Sequence, residues 1–352
     1  MDPVTNSPIP IAVVGAGWVG SARHLPTLRA DSRFRVVGVV DRHEGRVQAA
    51  ARRFRLHRTA VASSHAGVPW LGEVAAITIA TPPDSHGRLL AEARELGLHV
   101  LTEKPFALDL AEAERAAMPS QSVVAVMHNF GFGRSATRLW ADIATGRLGE
   151  LRGVSGIQLS NPARRLPEWY EELPLGLFFD ESPHLLYLLR RIAPDLTLQA
   201  LDVLQGRDGR RTPRLVTARY AAGPSGELPM TLSMNFEAAV SEWQFAVHGA
   251  RGVGIVDIFR DIYIRLPNDG RHTTKTVART SLAATRGHWA GYVTSGALHV
   301  TGRLRYGVDA VVGAFADGIA AGRDPQYCGR ADALAVRKMQ QEILDGANGR
   351  AR

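Results

Sequence analysis

The segment Ile11-Ala-Val-Val-Gly-Ala-Gly-Trp-Val-Gly20 decides how the first part of this chain folds. An apolar run ends there in the spacing G-x-G-x-x-G and passes into a helical pattern. In such a turn the first glycine permits a tight bend, the second lets the backbone approach a pyrophosphate, and the third lets the helix pack against its strand. Ordinary strand-to-helix turns can also contain three glycines, so the motif needs a second observation. The spacing predicts a dinucleotide-binding turn made by Gly15, Gly17, Trp18, Val19 and Gly20.

The second observation is an acidic residue at the end of the next strand. The second strand segment, Arg33-Phe-Arg-Val-Val-Gly-Val-Val-Asp41, ends at Asp41, and an acid about 20 positions beyond the glycines is typical of this motif. Its carboxylate can accept hydrogen bonds from the adenosine ribose hydroxyls and would repel a 2′-phosphate, so NAD is favoured as cofactor. Arg42 leaves an alternative open. Its guanidinium could stack on adenine, or pair with a phosphate and admit NADP as the less favoured cofactor.

Length and composition predict two domains in an ordinary soluble protein. The chain has 352 residues, of which 45% are apolar and 22% charged. We place the nucleotide-binding domain at 1–128 and a second domain at 129–352. The N-terminal sequence lacks the basic-then-apolar pattern of a signal peptide, and no apolar run is long enough to span a membrane. Cys328, the single cysteine, excludes an internal disulfide, and a cytoplasmic location is expected.

The net charge of +8 does not by itself indicate a nucleic-acid partner. Nucleic-acid binders concentrate basic residues on one face with interleaved aromatic residues, whereas dense clusters here, such as Arg207–Arg214, are local. Only three of the 42 basic residues are lysines, namely Lys104, Lys275 and Lys338. The histidines lack the spacing of metal ligands, so we expect neither nucleic acid nor metal.

Strand and helix patterns alternate through the first domain and predict a doubly wound parallel sheet. The buried-strand run Glu73–Ala80 stops at two prolines, and the next such run, Leu98–Thr102, ends in Glu103-Lys104-Pro105. Ligands of open α/β sheets bind at the carboxyl ends of the strands. The residues therefore predicted to border the cofactor there are Thr81, Pro82, His86 and Glu103. Two simpler roles remain open, a helix-start position for His86 and a solvated surface position for Lys104.

Five motifs, in this order and spacing, resemble the glucose-fructose oxidoreductase and inositol dehydrogenase family (Gfo/Idh/MocA). They are Gly15-Ala-Gly-Trp-Val-Gly20, Ala80-Thr-Pro-Pro-Asp-Ser-His86, Glu103-Lys-Pro105, Asn129-Phe-Gly-Phe, and Gly176-Leu-Phe-Phe-Asp-Glu-Ser-Pro-His184. The resemblance implies an NAD(P)-dependent oxidoreductase of sugars or cyclitols. It makes Lys104, Asp180 and His184 the catalytic set and adds Asn129 to the cofactor site. This chain departs from the family at Leu175, where a glycine is usual, and at Glu181, where a small residue is usual.

The second half is predicted to be an α+β domain. Alternating segments between Leu198 and Leu266 indicate an open, mostly antiparallel sheet. The weakly patterned stretch Arg271–Arg303 is interpreted as a loop lining the substrate pocket. The resemblance further implies that another subunit covers one face of the sheet, which makes a homodimer or homotetramer the expected assembly.

The implied chemistry is hydride transfer from a secondary hydroxyl. Residues four apart on a helix share one face, so Asp180 and His184 can point at one bound hydroxyl. His184 would take the hydroxyl proton, Asp180 would orient it, and Lys104 would stabilise the developing alkoxide. A buried histidine held by a carboxylate is the simpler alternative. Other functions that stay open are a redox-assisted NAD-dependent glycosidase and an NAD(H)-sensing binding module without turnover.

The substrate hypothesis depends on local charge. Five acids and no basic residue lie between Glu168 and Glu181 in an otherwise basic chain. Carboxylates at a pocket wall would attract ammonium groups and repel sugar phosphates. The sequence therefore favours an amino-substituted sugar or cyclitol, such as an aminoglycoside precursor. The alternative is a solvated loop that balances Arg164 and Arg165.

Overall fold

The computed structural model describes residues 7–164, 166–223 and 226–350, the side chains of Glu168 and Arg350 excepted. Residues 1–6, part of the N-terminal sequence that lacks a signal-peptide pattern, and Arg165 lie outside the described residues. The strands are β1 Ile9–Val14, β2 Phe34–Asp41, β3 Arg58–Val61, β4 Ala76–Ile79, β5 His99–Thr102, β6 Val124–Val126, β7 Leu151–Leu159, β8 Thr197–Leu204, β9 Leu215–Ala222, β10 Leu228–Asn235, β11 Glu242–Gly249, β12 Gly252–Asp257 and β13 Ile262–Pro267.

The helices are α1 Leu25–Ala30, α2 Glu44–Phe54, α3 His86–Glu95, α4 Leu110–Ala117, α5 Arg134–Ala144, α6 Leu177–Glu181, α7 Pro183–Ile192, α8 Thr274–Val300, α9 Val308–Ala321 and α10 Arg330–Arg350. A π-helical turn, Gly20–His24, leads directly into α1. Short 3₁₀ segments lie at His65–Gly67, Pro69–Glu73, Pro83–Ser85, Asn129–Phe132 and Glu168–Glu172.

The chain forms two compact units, Met1–Asn129 with Val308–Lys338, and Phe130–Gly307 with Met339–Arg352. The first unit thus includes a late segment that the sequence prediction had placed in the domain 129–352. Long-range contacts account for this arrangement. The ring of Phe315 stacks on Phe34 with centroids 6.0 Å apart. Arg330 donates to the Met118 carbonyl and to Ser120 Oγ at 3.1 and 2.8 Å.

The first unit contains the predicted doubly wound parallel sheet. Among the described residues, six strands pair in parallel in the order β3-β2-β1-β4-β5-β6. All four residues of β4 are buried, which is the pattern of a strand covered on both faces. Strands β2 and β3 lie on one side of β1, and strands β4 to β6 lie on its other side, so the strand order changes direction between β1 and β4. That point is where ligands bind in sheets of this kind, outside the carboxyl ends of the strands.

The second unit contains a mixed, mostly antiparallel sheet, as the sequence predicted. Within the described part of the chain its order is β13-β12-β11-β7-β10-β9-β8. One pair, β7 with β10, is parallel, which the alternation of residues could not reveal. On β11 the side chains of Trp243, Phe245 and Val247 are buried, while the alternate residues are partly or fully exposed. One face of the sheet therefore packs on the unit's own core.

The interpretation of 271–303 as a loop was wrong, because Thr274–Val300 forms α8. Thr273 caps the helix by accepting a hydrogen bond from Thr276 N, and the segment contains no proline. Helical periodicity is hidden because apolar residues such as Leu282 and Val293 stay exposed, at 57% and 64%. The helix packs on β13, where Gly291 lies against Ile262. No helix among the described residues is long and apolar enough to cross a membrane.

Candidate active site

The glycine turn after β1 has the geometry that the motif predicts. Gly15 has φ +98°, and a Cβ there would lie 2.5 Å from the Ala80 carbonyl oxygen. A Cβ at Gly20 would lie against the Gly15 carbonyl oxygen. Gly17, in contrast, faces open space, since a Cβ there would meet nothing within 4 Å. The turn is thus tight on its protein side and open at Gly17, where a ligand would approach.

Trp18 and Val19 complete the turn on its outer side. The Trp18 side chain is 69% exposed, and the Arg23 guanidinium carbon lies 5.3 Å from the centroid of its ring. The backbone of Gly17 accepts a hydrogen bond from Ser21 N at 2.9 Å, which starts the helical turn. The exposed indole and the open glycine are adjacent in the chain.

Asp41 is fixed beside this turn at the end of β2. Its Oδ2 accepts a hydrogen bond from Ala16 N at 2.7 Å, and its Oδ1 accepts one from His43 N at 2.8 Å. Because each carboxylate oxygen has a second lone pair, both can still accept a ribose hydroxyl. The exposed Arg42 donates from Nε to His43 Nε2 at 3.3 Å. The structure therefore brings the predicted acid and the glycine turn together.

The loop after β4 packs against the same turn, since Thr81 N would be 2.9 Å from a Cβ at Gly15. Thr81 and Pro82 are partly exposed, and Ser85 Oγ donates to Thr81 Oγ1 and to the Pro82 carbonyl at 2.7 and 2.8 Å. His86 is the first residue of α3, the helix-start position that the sequence left open beside a place at the cofactor. Its ring is fully buried and both ring nitrogens lie against backbone carbonyls, so it holds the loop rather than facing a ligand.

The end of β5 presents Glu103 and Lys104, both partly exposed, followed by a cis peptide bond to Pro105. Burial by itself raises the pKa of Glu103, but a hydrogen bond with His24 and the nearby charge of Lys104 lower it below its usual range. Glu103 is therefore a carboxylate at neutral pH. Its backbone N–H donates to the Ile79 carbonyl at 2.9 Å, which aligns the ends of β4 and β5.

These residues fit a dinucleotide without modification of the fold. The open Gly17 position leaves room for a pyrophosphate, and the Asp41 carboxylate is held where a ribose would lie in a sheet of this kind. Thr81, Pro82 and Lys104 lie at the carboxyl ends of β4 and β5, along the same edge of the sheet. The cofactor residues predicted from sequence thus converge within the first unit, with the side chain of His86 as the exception.

In the second unit, Asp180 and His184 lie on two short helices rather than one. Helix α6 ends at Glu181 and α7 begins at Pro183, although Ser182 between them keeps helical dihedral angles. Proline has no N–H, so Pro183 cannot donate to the carbonyl four residues earlier. That carbonyl, on Phe179, instead accepts a hydrogen bond from the buried Gln340 Nε2 at 2.8 Å. No local pattern around Gln340 indicates this role.

The start of α6 shows how the chain tolerates its departure from the family pattern. Leu175, at the position where a glycine is usual, has φ +53°, and Gly176 has φ +54°. A left-handed leucine costs about 1 kcal/mol. Thr212 Oγ1 accepts the Leu177 N–H at 2.9 Å and donates to Glu171 Oε1 at 2.7 Å. These contacts hold the strained turn in place.

His184 is only 8% exposed and lies among aromatic rings. Its ring centroid is 4.6 Å from that of Phe130, 5.4 Å from Trp243 and 6.0 Å from Tyr187. Tyr187 Oη accepts the Phe130 N–H at 2.8 Å, which ties this cluster together. Asp180, four residues before His184, is partly exposed. The packing restricts the orientation of the imidazole, and the sequence did not reveal the aromatic cluster.

Two of the acids near Asp180, Glu181 and Glu171, are paired within the protein, and the pairing with Arg164 that the sequence left open as the alternative is present. Glu181 is buried, and its carboxylate forms an ion pair with Arg164 and accepts hydrogen bonds from Gln158 and Ser160. Glu171 is used to hold Thr212 and the backbone of Arg211. Because Arg164 neutralises Glu181, this carboxylate is a structural partner and not a site for an ammonium group.

Asn129, the remaining predicted cofactor residue, is buried at the end of the first unit and starts the 3₁₀ segment Asn129–Phe132. A cavity of about 410 Å³ lies elsewhere, lined by Glu150, Arg152, Asp195 and Glu227, and none of the predicted site residues lines it. Within the described ranges, no group of three or more His, Cys, Asp or Glu side chains is arranged to hold a metal ion.

Comparison with known proteins agrees with this geometry. Residues 9–128 match the model of GFO_IDH_MocA, an oxidoreductase family with an NAD-binding Rossmann fold. Over these residues the chain is similar to the Gfo/Idh/MocA family of oxidoreductases. The match includes the glycine turn, Asp41, Thr81 and Lys104, so the resemblance inferred from the motifs is confirmed.

Two relatives and one solved structure illustrate the proteins to which this chain is similar. D-apiose dehydrogenase of Paraburkholderia graminis is 28% identical over 244 residues, 65% of this chain and 58% of that protein. The dTDP-3,4-didehydro-2,6-dideoxy-alpha-D-glucose 3-reductase of Actinomadura kijaniata is 30% identical over 135 residues, 37% of this chain and 39% of that protein. The structure of GenD2 from gentamicin A biosynthesis, in complex with NAD, is 18% identical with a TM-score of 0.73 over 97% of this chain and 94% of that one. The chain spans about half the length of the curated relatives that it matches.

Proposed function

We propose that this protein is an NAD-dependent dehydrogenase that oxidises a secondary hydroxyl of a sugar, a cyclitol or an amino-substituted sugar. The observation that carries the proposal is the shared edge of the first sheet, where Lys104 ends one strand while the open glycine turn and Asp41 end two others. The names of relatives that act on D-apiose and on a dTDP-linked sugar support a sugar substrate.

The chain's own residues have distinct parts in this chemistry. When bound, NAD supplies the hydride acceptor. His184 takes the proton of the substrate hydroxyl as the C–H bond breaks, and Asp180 orients the imidazole or the hydroxyl. Lys104 stabilises the negative charge that develops on the oxygen. This electrostatic stabilisation is strongest where water is excluded. No metal is needed, because the ammonium group supplies the positive charge.

The amino-substituted substrate is the finer part of the proposal. Its support is now the likeness to GenD2 rather than a free carboxylate, because Glu181 is paired with Arg164. We therefore expect aminoglycoside precursors to be used alongside neutral sugars, and the amino group to be recognised without the large salt dependence of an exposed anionic wall.

The test is initial rate of NADH formation with neutral sugars, cyclitols, phosphorylated sugars and aminoglycosides. We expect turnover with at least one unphosphorylated class. Glycoside cleavage without net NADH formation would instead identify a redox-assisted glycosidase. Tight NAD binding without turnover of any class would identify an NAD(H)-sensing module.

The same assay tests cofactor choice. Because the Asp41 carboxylate is fixed by two backbone N–H groups, it should repel a 2′-phosphate, and NAD should be preferred to NADP by at least about tenfold, or about 1.4 kcal/mol. Asp41→Asn should narrow this preference because it removes the charge. It should also weaken NAD binding, since the amide nitrogen cannot accept one of the two backbone N–H groups. Equal affinities of the unmodified protein for the two cofactors would contradict the assignment of Asp41.

We also propose a homodimer or homotetramer built on the outer face of the second sheet. Ile157 on this face is 41% exposed, and its register partners Gln244 and Ser233 share the face. Helix α8 extends the surface, since its Trp289 and Tyr292 side chains are 59% and 58% exposed. Burial of such a surface is favourable, and specific interfaces bury roughly 800 Å² on each partner.

The solution mass at micromolar concentration tests this assembly. We expect a dimer or larger species, and Ile157→Arg should shift the mass towards the monomer because it places a charge in the interface. Val61→Arg is the matched control, since Val61 is an exposed apolar strand residue of the first unit, at 55%. A monomeric unmodified protein would refute the proposal.

A further inference from the structure

The peptide segment that carries Lys104 is held from one side by a buried histidine, which lies in the helical turn that follows the glycine turn. His24 is fully buried at the end of the π-helical turn Gly20–His24. Its Nε2 lies 2.8 Å from Glu103 Oε1, and its Nδ1 lies 2.6 Å from Oγ1 of the buried Thr78. A π-helical turn contains one residue more than an α-helical turn and is frequent at functional sites. Here it connects the dinucleotide turn to the residue before Lys104.

The protonation of this set follows from its partners. Glu103 is ionised and can only accept, so His24 Nε2 carries the hydrogen that it donates. The other ring nitrogen, Nδ1, is paired with the hydroxyl of Thr78. The second carboxylate oxygen of Glu103 accepts the Lys104 N–H at 3.3 Å. Each buried polar group is satisfied, and the chain of contacts ends at the backbone of Lys104.

A second buried histidine holds the other side of Lys104. His86 Nδ1 lies 2.7 Å from the Pro105 carbonyl oxygen, and Nε2 lies 2.9 Å from the Thr81 carbonyl oxygen. The ring therefore joins the residue after Lys104 to the loop that follows β4. We call His24, Thr78, Glu103 and His86 together the histidine clamp.

We propose that the histidine clamp positions the Lys104 ammonium and couples it to the dinucleotide-binding loops. Burial lowers the pKa of His86, so its neutral ring can donate to only one of the two carbonyls that it contacts. A buried polar group that is only partly paired is costly, and an apolar side chain would be simpler to build at this position. The clamp connects Lys104 to the glycine turn through His24 and to the Thr81 loop through His86. Movement of either loop is thereby transmitted to the residue that would stabilise the alkoxide. The catalytic consequence depends on the proposed function, whereas the positioning of Lys104 does not.

The experiment uses two pairs of variants. Thr78→Val removes the hydroxyl without changing shape, and Thr78→Ser keeps it. His24→Gln removes the ring that contacts Glu103, and His65→Gln is its matched control. His65 is a buried histidine of the same unit, 2% exposed, with Nδ1 3.8 Å from Glu92 Oε2. The control thus removes a buried histidine beside a glutamate outside the clamp.

Two quantities are measured for each variant. The first is the rate at which an amine-reactive reagent labels Lys104 without cofactor, relative to Lys275 and Lys338 in the same molecule, determined by mass spectrometry. These are the only lysines in the chain, so each molecule contains its own reference. The second is kcat together with KM for NAD. The labelling experiment needs no substrate, so it tests positioning even if the protein turns over nothing in the panel.

We expect Thr78→Val and His24→Gln to raise the relative labelling of Lys104 by about threefold or more and to lower kcat by about tenfold. A double variant of His24→Gln with Thr78→Val should lose little more than His24→Gln alone, because both act through one contact path. Thr78→Ser and His65→Gln should leave both quantities within about twofold of the unmodified protein. The proposal is overturned if His24→Gln and Thr78→Val leave Lys104 labelling as unchanged as His65→Gln does.

Discussion

Replacing Lys104 by methionine should reduce turnover on the order of 10²-fold or more while the protein still binds NAD. Methionine matches the length of the aliphatic stem but removes the ammonium, so the developing alkoxide loses its positive partner. The glycine turn and Asp41 do not depend on the Lys104 side chain for their hydrogen bonds. Initial rates and NAD titration by fluorescence measure the two effects separately.

The two other lysines provide controls for this experiment. Lys275 is exposed on α8, and Lys338 is half-exposed with Nζ 3.4 Å from Glu114 Oε1. Lys275→Met should leave turnover unchanged, since an exposed lysine far along the chain contributes only to surface charge. Lys104→Arg keeps the charge but not the compact ammonium, and should recover only part of the loss. Near-normal turnover of Lys104→Met would exclude the proposed role.

The first unit was predictable because its signals are local. The four buried residues of β4, three of them apolar, followed by prolines, or a glycine turn followed by an acid at the next strand end, constrain the backbone within a few residues. The parallel sheet and its strand ends follow from such segments. By contrast, the packing of Val308–Lys338 into this unit depends on contacts such as Phe34 with Phe315, almost three hundred residues apart. No periodicity within a segment encodes that partner.

The second unit shows where local patterns fail. Helix α8 was not predicted because apolar residues occur on its exposed as well as its packed side. The 3.6-residue hydrophobic period that indicates a helix is therefore absent. The parallel pairing of β7 with β10 is a matter of topology, and both directions give the same alternation of side chains. The pattern identified strands but not their partners.

The partners of charged and polar side chains were the hardest feature to predict from the sequence. The sequence left two interpretations of Glu181 open, a free carboxylate at a pocket wall or a balance with Arg164 and Arg165, and Arg164 does pair with its carboxylate. His86 was predicted either to border the cofactor or to start a helix. It is the first residue of α3, and its two ring nitrogens lie against the backbone carbonyls of Pro105 and Thr81. The hydrogen bonds of a polar side chain depend on partners distant in sequence. Its remaining hydrogen-bonding capacity therefore cannot be predicted from its neighbours in the chain.

Replacing His184 by asparagine should also reduce turnover on the order of 10²-fold or more, with NAD affinity unchanged within about twofold. Asparagine can form hydrogen bonds but cannot take a proton at neutral pH, so the substrate hydroxyl would lose its base. The side chain is smaller than imidazole, and the rings of Phe130, Trp243 and Tyr187 lie around the site. The variant should therefore be compared at equal folded fraction, measured by thermal unfolding.

A matched histidine separates loss of the base from loss of packing or surface charge. His272 is exposed and pairs with Asp269, and its φ of +54° suits asparagine, so His272→Asn should leave turnover unchanged. Phe130→Leu keeps His184 but loosens the aromatic cluster around it, and should lower kcat by a smaller factor, on the order of tenfold, because the imidazole remains available but less well oriented. If His184→Asn and Phe130→Leu lose the same amount, the imidazole acts only as packing. If His184→Asn retains near-normal turnover, the base must be another group, and Asp180, four residues earlier and partly exposed, becomes the residue to replace next.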